Sequence, residues 1–283
     1  MQERIVHLKQ SGELLTDVAG ERWTPPALIK AAKRIAEVQQ HADLLGVRGL
    51  LVVSGGGNVP DGSGRGANMR AQFGEKSAVS RYADVIGRRS TADNTIMLAA
   101  ALTDLNVAHA LFAAPNSEFN DIELGLVPEY DLEAIQAAYR DGKVVLMAGG
   151  IGKGGRTTDA AVVEYALWQK KAYPDIPSIA LKATKFNGIY DRDPAKDSSA
   201  PRYTQIAAST MLGDYERFKA VDRRCLEILH EADTSNLDVR LQVYAGGYTI
   251  AQALKDEHLG TIVFSQNVKA ILEESPEPEV VEV

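Results

Sequence analysis

The chain contains a single cysteine, Cys225, so no disulfide can form within it, which suits the reducing cytoplasm. It has no apolar run near the roughly 20 residues of a membrane span. Its first ten residues, MQERIVHLKQ, lack the apolar core of a signal peptide. It also lacks an excess of positive charge, because the formal net charge is −7. We therefore expect a cytoplasmic chain without a membrane or nucleic-acid partner.

Clustered metal ligands and nucleophilic sets are lacking as well. The five histidines are scattered and show no metal-ligand spacing. No convincing Ser–His–Asp or Cys–His pattern is present. We expect no metal site built by the protein alone and no covalent catalysis.

What is present is an alternation of short apolar runs and amphipathic segments. Predicted strands cover residues 5–9, 50–53, 108–113, 143–148, 178–183, 239–244 and 261–264. Predicted helices cover residues 25–45, 91–105, 131–140, 161–171, 215–232 and 249–255. This order predicts an α/β fold with a parallel sheet and right-handed crossovers. No linker separates two parts, so we predict one domain over residues 1–265 and an acidic, flexible tail over residues 266–283.

Two of the predicted strands end in glycine-rich turns. The first reads LLVVSGGGN over residues 50–58, and the second reads GGIGKGGRTTD over residues 149–159. Glycines let backbone N–H groups approach a phosphate closely, and a following helix adds partial positive charge. Ligands bind beyond the carboxyl ends of parallel strands, so both turns could face one cleft. A tight turn without a ligand is the alternative for each.

Two general nucleotide motifs can be tested on the second turn. The phosphate-loop pattern G-x-x-x-x-G-K-[ST] fails because Gly154 follows Lys153. The dinucleotide pattern G-x-G-x-x-G is met by Gly150, Gly152 and Gly155. Its acidic partner would be Asp175, which lies before the next strand rather than at its end. A dinucleotide site stays open as an alternative on the spacing alone.

Five blocks of sequence together resemble a known family. They are LKQSGE (8–13), VVSGGGN (52–58), ADVIG (83–87) with Thr91 and Asn94 downstream, TTDAA (157–161) and LKATKFNGIYDRDPAKD (181–197). The last block is the most specific of these. In all of them the chain resembles the amino acid kinase superfamily, and within it the bacterial-type uridylate (UMP) kinases. The resemblance extends from the first strand to about residue 264.

This resemblance implies a three-layer αβα sandwich around a central, mostly parallel sheet. It implies transfer of the γ-phosphoryl group from Mg·ATP to UMP, which gives UDP and ADP in pyrimidine nucleotide biosynthesis. Members of the family are typically cytoplasmic homohexamers, and some are regulated by GTP and UTP.

The resemblance also assigns roles to residues. Catalysis would fall to Lys9, Asp159 and Asp222, the two aspartates organising the lysines or Mg²⁺. ATP would be bound by Lys9, Ser11, Gly12, Gly57, Arg65, Thr184, Tyr190 and Asp193. The acceptor nucleotide would be bound by Gly56, Asp84, Gly150, Lys153 and Thr158. Taken alone, without the resemblance, Lys9 is better explained as a surface lysine.

The chain departs from the family pattern near the acceptor. Asp61 stands where the family has an arginine after GGGN, and Arg65 is the replacement that we predict. The loop GGIGKGGR is longer and more charged than the family's, and Asn187 stands where aspartate is common. Two alternatives to a UMP kinase therefore remain. One is a kinase for a different acceptor, and the other is a nucleotide- or oxyanion-binding storage or regulatory protein, similar to molybdate-storage proteins.

Overall fold

The computed structural model describes residues 3–15, 23–56, 71, 72, 74, 78–113, 131–150, 157–218, 220–256 and 258–273. Side chains are not described for Glu13, Leu14 and residues 78–84. The chain folds into two compact units. The first takes residues 1–9, 40–48 and 162–283, and the second takes residues 10–39 and 49–161.

The second unit is built on three parallel strands in the order β2–β4–β3. They are β2 (Val47–Ser54, which enters the unit at Gly49), β3 (His109–Ala113) and β4 (Val144–Ala148). Every residue of β4 is buried, and its sequence VVLMA is the continuous apolar run expected of an interior parallel strand. Their helices are α1 (Pro25–Gln40), α3 (Ala78–Asp104) and α4 (Leu132–Arg140). Helix α3 packs on β3 and β4.

The first unit contains the strand order β10–β7–β9–β8–β5–β1, with β6 paired to β7. Its strands are β1 (Arg4–Gln10), β5 (Ser178–Thr184), β6 (Ile189–Tyr190), β7 (Arg202–Ala207), β8 (Val239–Ala245), β9 (Thr261–Phe264) and β10 (Ile271–Glu273). Strands β1, β5 and β8 run parallel, and β9 is antiparallel to β8. The helices are α2 (Ala42–Leu45), α5 (Thr158–Ala172, entering the unit at Val162), α6 (Ala208–Gly213), α7 (Arg223–Thr234) and α8 (Ile250–Lys255).

Most predicted elements are confirmed to within a few residues, and three predicted helices need correction. The helix predicted over residues 91–105 begins 13 residues earlier, at Ala78, as α3. The helix predicted over residues 215–232 begins only at Arg223, because the Asp222 carboxylate accepts a hydrogen bond from the Cys225 N–H and caps a new helix. The helix predicted from Pro25 to residue 45 is interrupted at His41, and Gly46 then ends α2 in the left-handed conformation. Strands β6, β7 and β10 and helix α6 were not predicted at all.

The Asn187–Gly188 dipeptide is typical of β-hairpin turns. Gly188 has a φ of +110°, so the turn is real. However, the strand that follows it, β6, pairs with β7 instead of folding back on β5. The Thr261 hydroxyl accepts the Ile189 N–H at 2.8 Å and fixes this arrangement.

Within the described residues, none of the helices combines the length and apolar character that crossing a membrane requires.

Candidate functional site

The first glycine turn, Gly55–Gly56, directly follows β2 and is held tightly in the second unit. The Gly55 N–H donates to the Gln10 carbonyl at 2.8 Å. A Cβ on Gly55 would lie 3.2 Å from the backbone N of Gly12 and 3.5 Å from Thr158 Oγ1. The structure therefore brings together Gly12, Gly55 and Thr158, which come from three of the five family blocks. A side chain larger than hydrogen does not fit between them without movement.

The carbonyl of Gly55 is held by a buried amide. Asn94 of α3 donates from Nδ2 to the Gly55 oxygen at 2.6 Å, and the Trp23 indole donates to Asn94 Oδ1 at 2.9 Å. Gly56 lies over the same helix, since a Cβ there would approach Ser90 Cβ to 3.7 Å and Thr91 Cγ2 to 3.9 Å. These are ordinary van der Waals distances.

The second glycine turn follows β4 in the same unit. Gly149 and Gly150 both have positive φ, 81° and 66°, and Gly150 is buried. Helix α5 begins beyond this turn, and the Thr157 hydroxyl accepts the Ala160 N–H at 3.1 Å as its cap. Thr158 and Asp159 occupy the first turn of α5, half-buried. The unpaired N–H groups of a helix start favour anions such as phosphate.

Four residues predicted to bind the acceptor or ATP have no described side chain. Asp84 lies in α3, but only its backbone is described. Gly57, Arg65 and Lys153 lie outside the described residues.

In the first unit, two lysines lie side by side at the carboxyl ends of parallel strands. Lys9 of β1 is in register with Lys182 of β5, and residues paired in this way share one face of a sheet. We call them the lysine pair. Lys182 is buried, and its Nζ donates to the Ala220 carbonyl at 2.8 Å. Sequence reasoning missed Lys182, although it lies within the quoted LKATK block.

The predicted adenine-nucleotide residues follow β5 along the chain. Thr184 Oγ1 donates to the Phe186 carbonyl at 2.6 Å, and the Phe186 ring packs edge-on against Tyr190 with centroids 6.3 Å apart. Tyr190 is almost fully buried. Asp193 lies on an exposed turn, where its carboxylate accepts the Ala195 N–H at 3.0 Å. Thus Thr184 binds the backbone of Phe186, Tyr190 packs against the ring of Phe186, and Asp193 is held by its own turn.

Asp222 is the N-cap of α7, with Oδ1 2.9 Å from the Cys225 N. Asp222 lies two residues after Ala220, whose carbonyl accepts a hydrogen bond from the Lys182 ammonium. Asp222 therefore caps a helix and lies two residues from the carbonyl that binds the Lys182 ammonium. Among the residues that the structure describes, no group of three or more His, Cys, Asp and Glu side chains is arranged to hold a metal ion.

Comparison with known proteins shows the family. The family model described as "Amino acid kinase family" matches residues 4–239. A uridylate kinase of Protochlamydia amoebophila is 31% identical over 223 residues, which is 78% of this chain and 77% of that protein. A uridylate kinase of Legionella pneumophila (strain Corby) is 30% identical over 263 residues, covering 90% and 92% of the two chains.

A solved structure shows the same fold. The UMP kinase of Bacillus anthracis matches 96% of this chain and all of that chain with a TM-score of 0.72 at 22% identity. These matches confirm the predicted α/β fold with its central, mostly parallel sheet. Because the family model spans most of the sequence, the chain belongs to the amino acid kinase family, where it is similar to the uridylate kinases.

Proposed function

We propose that the protein is a nucleoside monophosphate kinase that transfers the γ-phosphoryl group of Mg·ATP to UMP. The observation that carries the proposal is the convergence of Gly12, Gly55 and Thr158 around a turn in which the Gly55 N–H and carbonyl are both held by hydrogen bonds. The preference for UMP is supported by the likeness to uridylate kinases. We further propose a cytoplasmic homohexamer that acts in pyrimidine nucleotide biosynthesis.

The reaction needs positioning and charge neutralisation more than covalent help. A phosphate oxygen of UMP attacks the γ-phosphorus, and the bond from that phosphorus to the β–γ bridging oxygen breaks, giving UDP and ADP. The attacking oxygen is already anionic, so no strong general base is required. Lys9 would neutralise charge on the transferred oxygens, and backbone N–H groups of Gly12, Gly56 and Gly57 would orient the phosphates.

The remaining roles follow the family blocks. Thr184, Tyr190 and Asp193 would bind the adenine nucleotide, together with Ser11 and Arg65. Asp84, Gly150, Lys153 and Thr158 would bind UMP. Mg²⁺ would arrive with ATP and neutralise its phosphates. Asp159 and Asp222 offer the carboxylate oxygens that Mg²⁺ prefers, which is the usual contribution of one or two carboxylates beside the substrate's own phosphates.

The test is an assay of ADP release with Mg·ATP against UMP, CMP, dUMP, AMP and GMP. We expect UMP to have the highest kcat/KM. A different preferred nucleotide would keep the kinase and replace its acceptor. No turnover with any of them would contradict the nucleoside monophosphate kinase. That result would favour a nucleotide- or oxyanion-binding protein, the alternative suggested by the altered GGIGKGGR loop.

Lys9→Ala tests the phosphoryl-binding role directly. Loss of a preorganised cation at the transferring phosphate should lower kcat by at least about two orders of magnitude. The matched control is Lys30→Ala, which removes an exposed lysine of α1. Near-normal turnover of a folded Lys9→Ala variant would remove Lys9 from the mechanism.

Asp84→Asn tests the acceptor role. If the Asp84 carboxylate binds the ribose of UMP, the variant should raise KM for UMP much more than KM for ATP. Asp104→Asn, an exposed aspartate at the end of the same helix, is the control. Equal changes for the two nucleotides would contradict the assignment.

A further inference from the structure

The orientation of the Gly56 N–H is fixed by a chain of two side-chain hydrogen bonds. A trans peptide unit is planar, and its C=O and N–H point in opposite directions. The Gly55 carbonyl points at Asn94 Nδ2, 2.6 Å away, so the N–H of the same unit, which belongs to Gly56, points away from Asn94. The Gly55 N–H is bound to the Gln10 carbonyl at 2.8 Å, so the unit before it is also held.

Trp23 decides which way round the Asn94 amide lies. An indole N–H can only donate, and it lies 2.9 Å from Asn94 Oδ1. The acceptor end of the amide is thereby occupied, and Nδ2 is left to face the Gly55 carbonyl. With the amide reversed, two donors would meet at Trp23 and two acceptors would meet at Gly55. Asn94 is buried, where such mismatches are costly.

The backbone at Trp23 agrees with a specific placement of this side chain. Its φ is 58°, in the left-handed region that bulky residues rarely adopt, and its N–H donates to the Leu15 carbonyl at 2.7 Å. Such a conformation costs about 1–2 kcal/mol and persists where the surrounding contacts hold it. The indole bond to Asn94 is one such contact.

We infer that Trp23 is a positioning residue for the acceptor phosphate, acting through Asn94 to aim the Gly56 N–H. The inference rests on the proposed function for the identity of the ligand, the phosphate group of a nucleoside monophosphate. Trp23 itself need not touch the nucleotide. Its effect is on the Gly55–Gly56 peptide unit, so binding of the acceptor, which is assigned to Gly56, should depend on it more than binding of ATP.

The experiment uses Trp23→Phe, Asn94→Ala, the double variant, and Trp168→Phe as the control, which removes the other indole of the chain. UMP binding is measured by calorimetry without ATP, and KM is measured for both nucleotides. Trp23→Phe should weaken UMP binding about three- to tenfold, as expected for one lost hydrogen bond. KM for ATP should change less than about twofold, and Trp168→Phe should behave like the wild type.

The double variant tests the order of the relay. Because Trp23 acts through Asn94, adding Trp23→Phe to Asn94→Ala should weaken UMP binding no further. Fully additive effects, or equal changes in both KM values, would overturn the inference.

Amide hydrogen exchange of the peptide containing Gly55 provides a readout that needs no substrate. Trp23→Phe should speed exchange of the Gly55 N–H about three- to tenfold relative to Trp168→Phe, because the turn is held less firmly. Unchanged exchange would overturn the inference even in an active enzyme. If the wild type binds no nucleoside monophosphate while exchange responds as expected, the proposed function fails and the positioning relay stands.

Discussion

Gly55, Gly56 and Gly188 differ in how strongly the structure requires glycine, which a sequence motif does not distinguish. An added Cβ on Gly188 would lie 2.5 Å from Thr261 Oγ1 and 3.0 Å from the Gly260 carbonyl carbon, at a φ of +110°. On Gly55 it would meet the backbone N of Gly12 at 3.2 Å, whereas on Gly56 it meets only ordinary contacts. A Cβ at Gly188 is excluded by both space and backbone conformation, and a Cβ at Gly55 is excluded by space alone. A Cβ at Gly56 is excluded by neither.

Alanine substitution should therefore lower the free energy of unfolding most at Gly188, less at Gly55 and least at Gly56. We expect about 1–3 kcal/mol for Gly55→Ala, the usual cost of overpacking, and less than about 1 kcal/mol for Gly56→Ala. Urea denaturation of the three variants measures this. If Gly56→Ala were the most destabilising of the three, the space around these turns would differ from that described.

His7 of β1 is a buried histidine whose ring nitrogens have no hydrogen-bond partner among the described residues. Burial lowers the pKa of His7 from 6.5 to about 3, because the charged form is desolvated. The unfolded chain therefore binds a proton between about pH 6.5 and pH 3 that the folded chain does not. Stability from this group is complete above pH 6.5 and is lost as the pH falls.

Replacing His7 should make the protein less sensitive to acid. Between pH 7.5 and pH 5 the wild type should lose about 2 kcal/mol through this residue, and His7→Leu should lose that much less. The control is His258→Leu, at an exposed histidine, and its loss of stability between the two pH values should equal that of the wild type. Denaturant titrations at the two pH values decide it, and an identical loss in wild type and His7→Leu would contradict the prediction.

At the scale of the element, the sequence is informative where local signals agree. Strand β4 is an apolar run followed by glycines, and α1 starts at a proline pair, so both were predictable. Strand β7, with sequence RYTQIA, pairs with β9, β10 and β6, and its existence depends on partners distant in the chain. No local period marks it, which is why it was missed.

The sequence also does not show where α7 starts, because the apolar spacing over residues 215–232 continues past Asp222 and hides its role as a helix cap. Its carboxylate caps α7, and capping and catalysis make different demands on the side chain. Asp222→Ala removes the cap and the charge together, whereas Asp222→Asn keeps an oxygen for the Cys225 N–H and removes only the charge.

We expect Asp222→Ala to lower the free energy of unfolding by about 1 kcal/mol and Asp222→Asn to lower it by much less. If the charge organises the lysines or Mg²⁺, both variants should lose turnover alike. Thermal unfolding and the ADP-release assay, run on the same preparations, separate the two tasks. Full activity in Asp222→Asn would leave Asp222 as a cap only.

At the scale of the whole molecule, the resemblance carried by five short blocks predicted the family, and the match over residues 4–239 confirms it. The residue roles do not follow as directly. The lysine pair appears only when β1 and β5 are placed in register, and Trp23 has no counterpart in any block. Contacts between distant segments are set by the tertiary fold, so a motif read along the chain cannot supply them.

The choice between a kinase and an oxyanion-binding protein is also a whole-molecule question, because any ligand of the folded state stabilises it. A ligand at 100 times its Kd adds about 2.7 kcal/mol to the free energy of unfolding. We expect UMP and Mg·ATP each to raise the melting temperature when added alone. CMP and GMP at the same concentration should raise it less than UMP, and molybdate should leave it unchanged. The control is Lys9→Ala, which should lose much of the shift from Mg·ATP. A large shift with molybdate and none with UMP would contradict the kinase and support oxyanion storage, since backbone N–H groups of glycine turns are chemically suited to either anion.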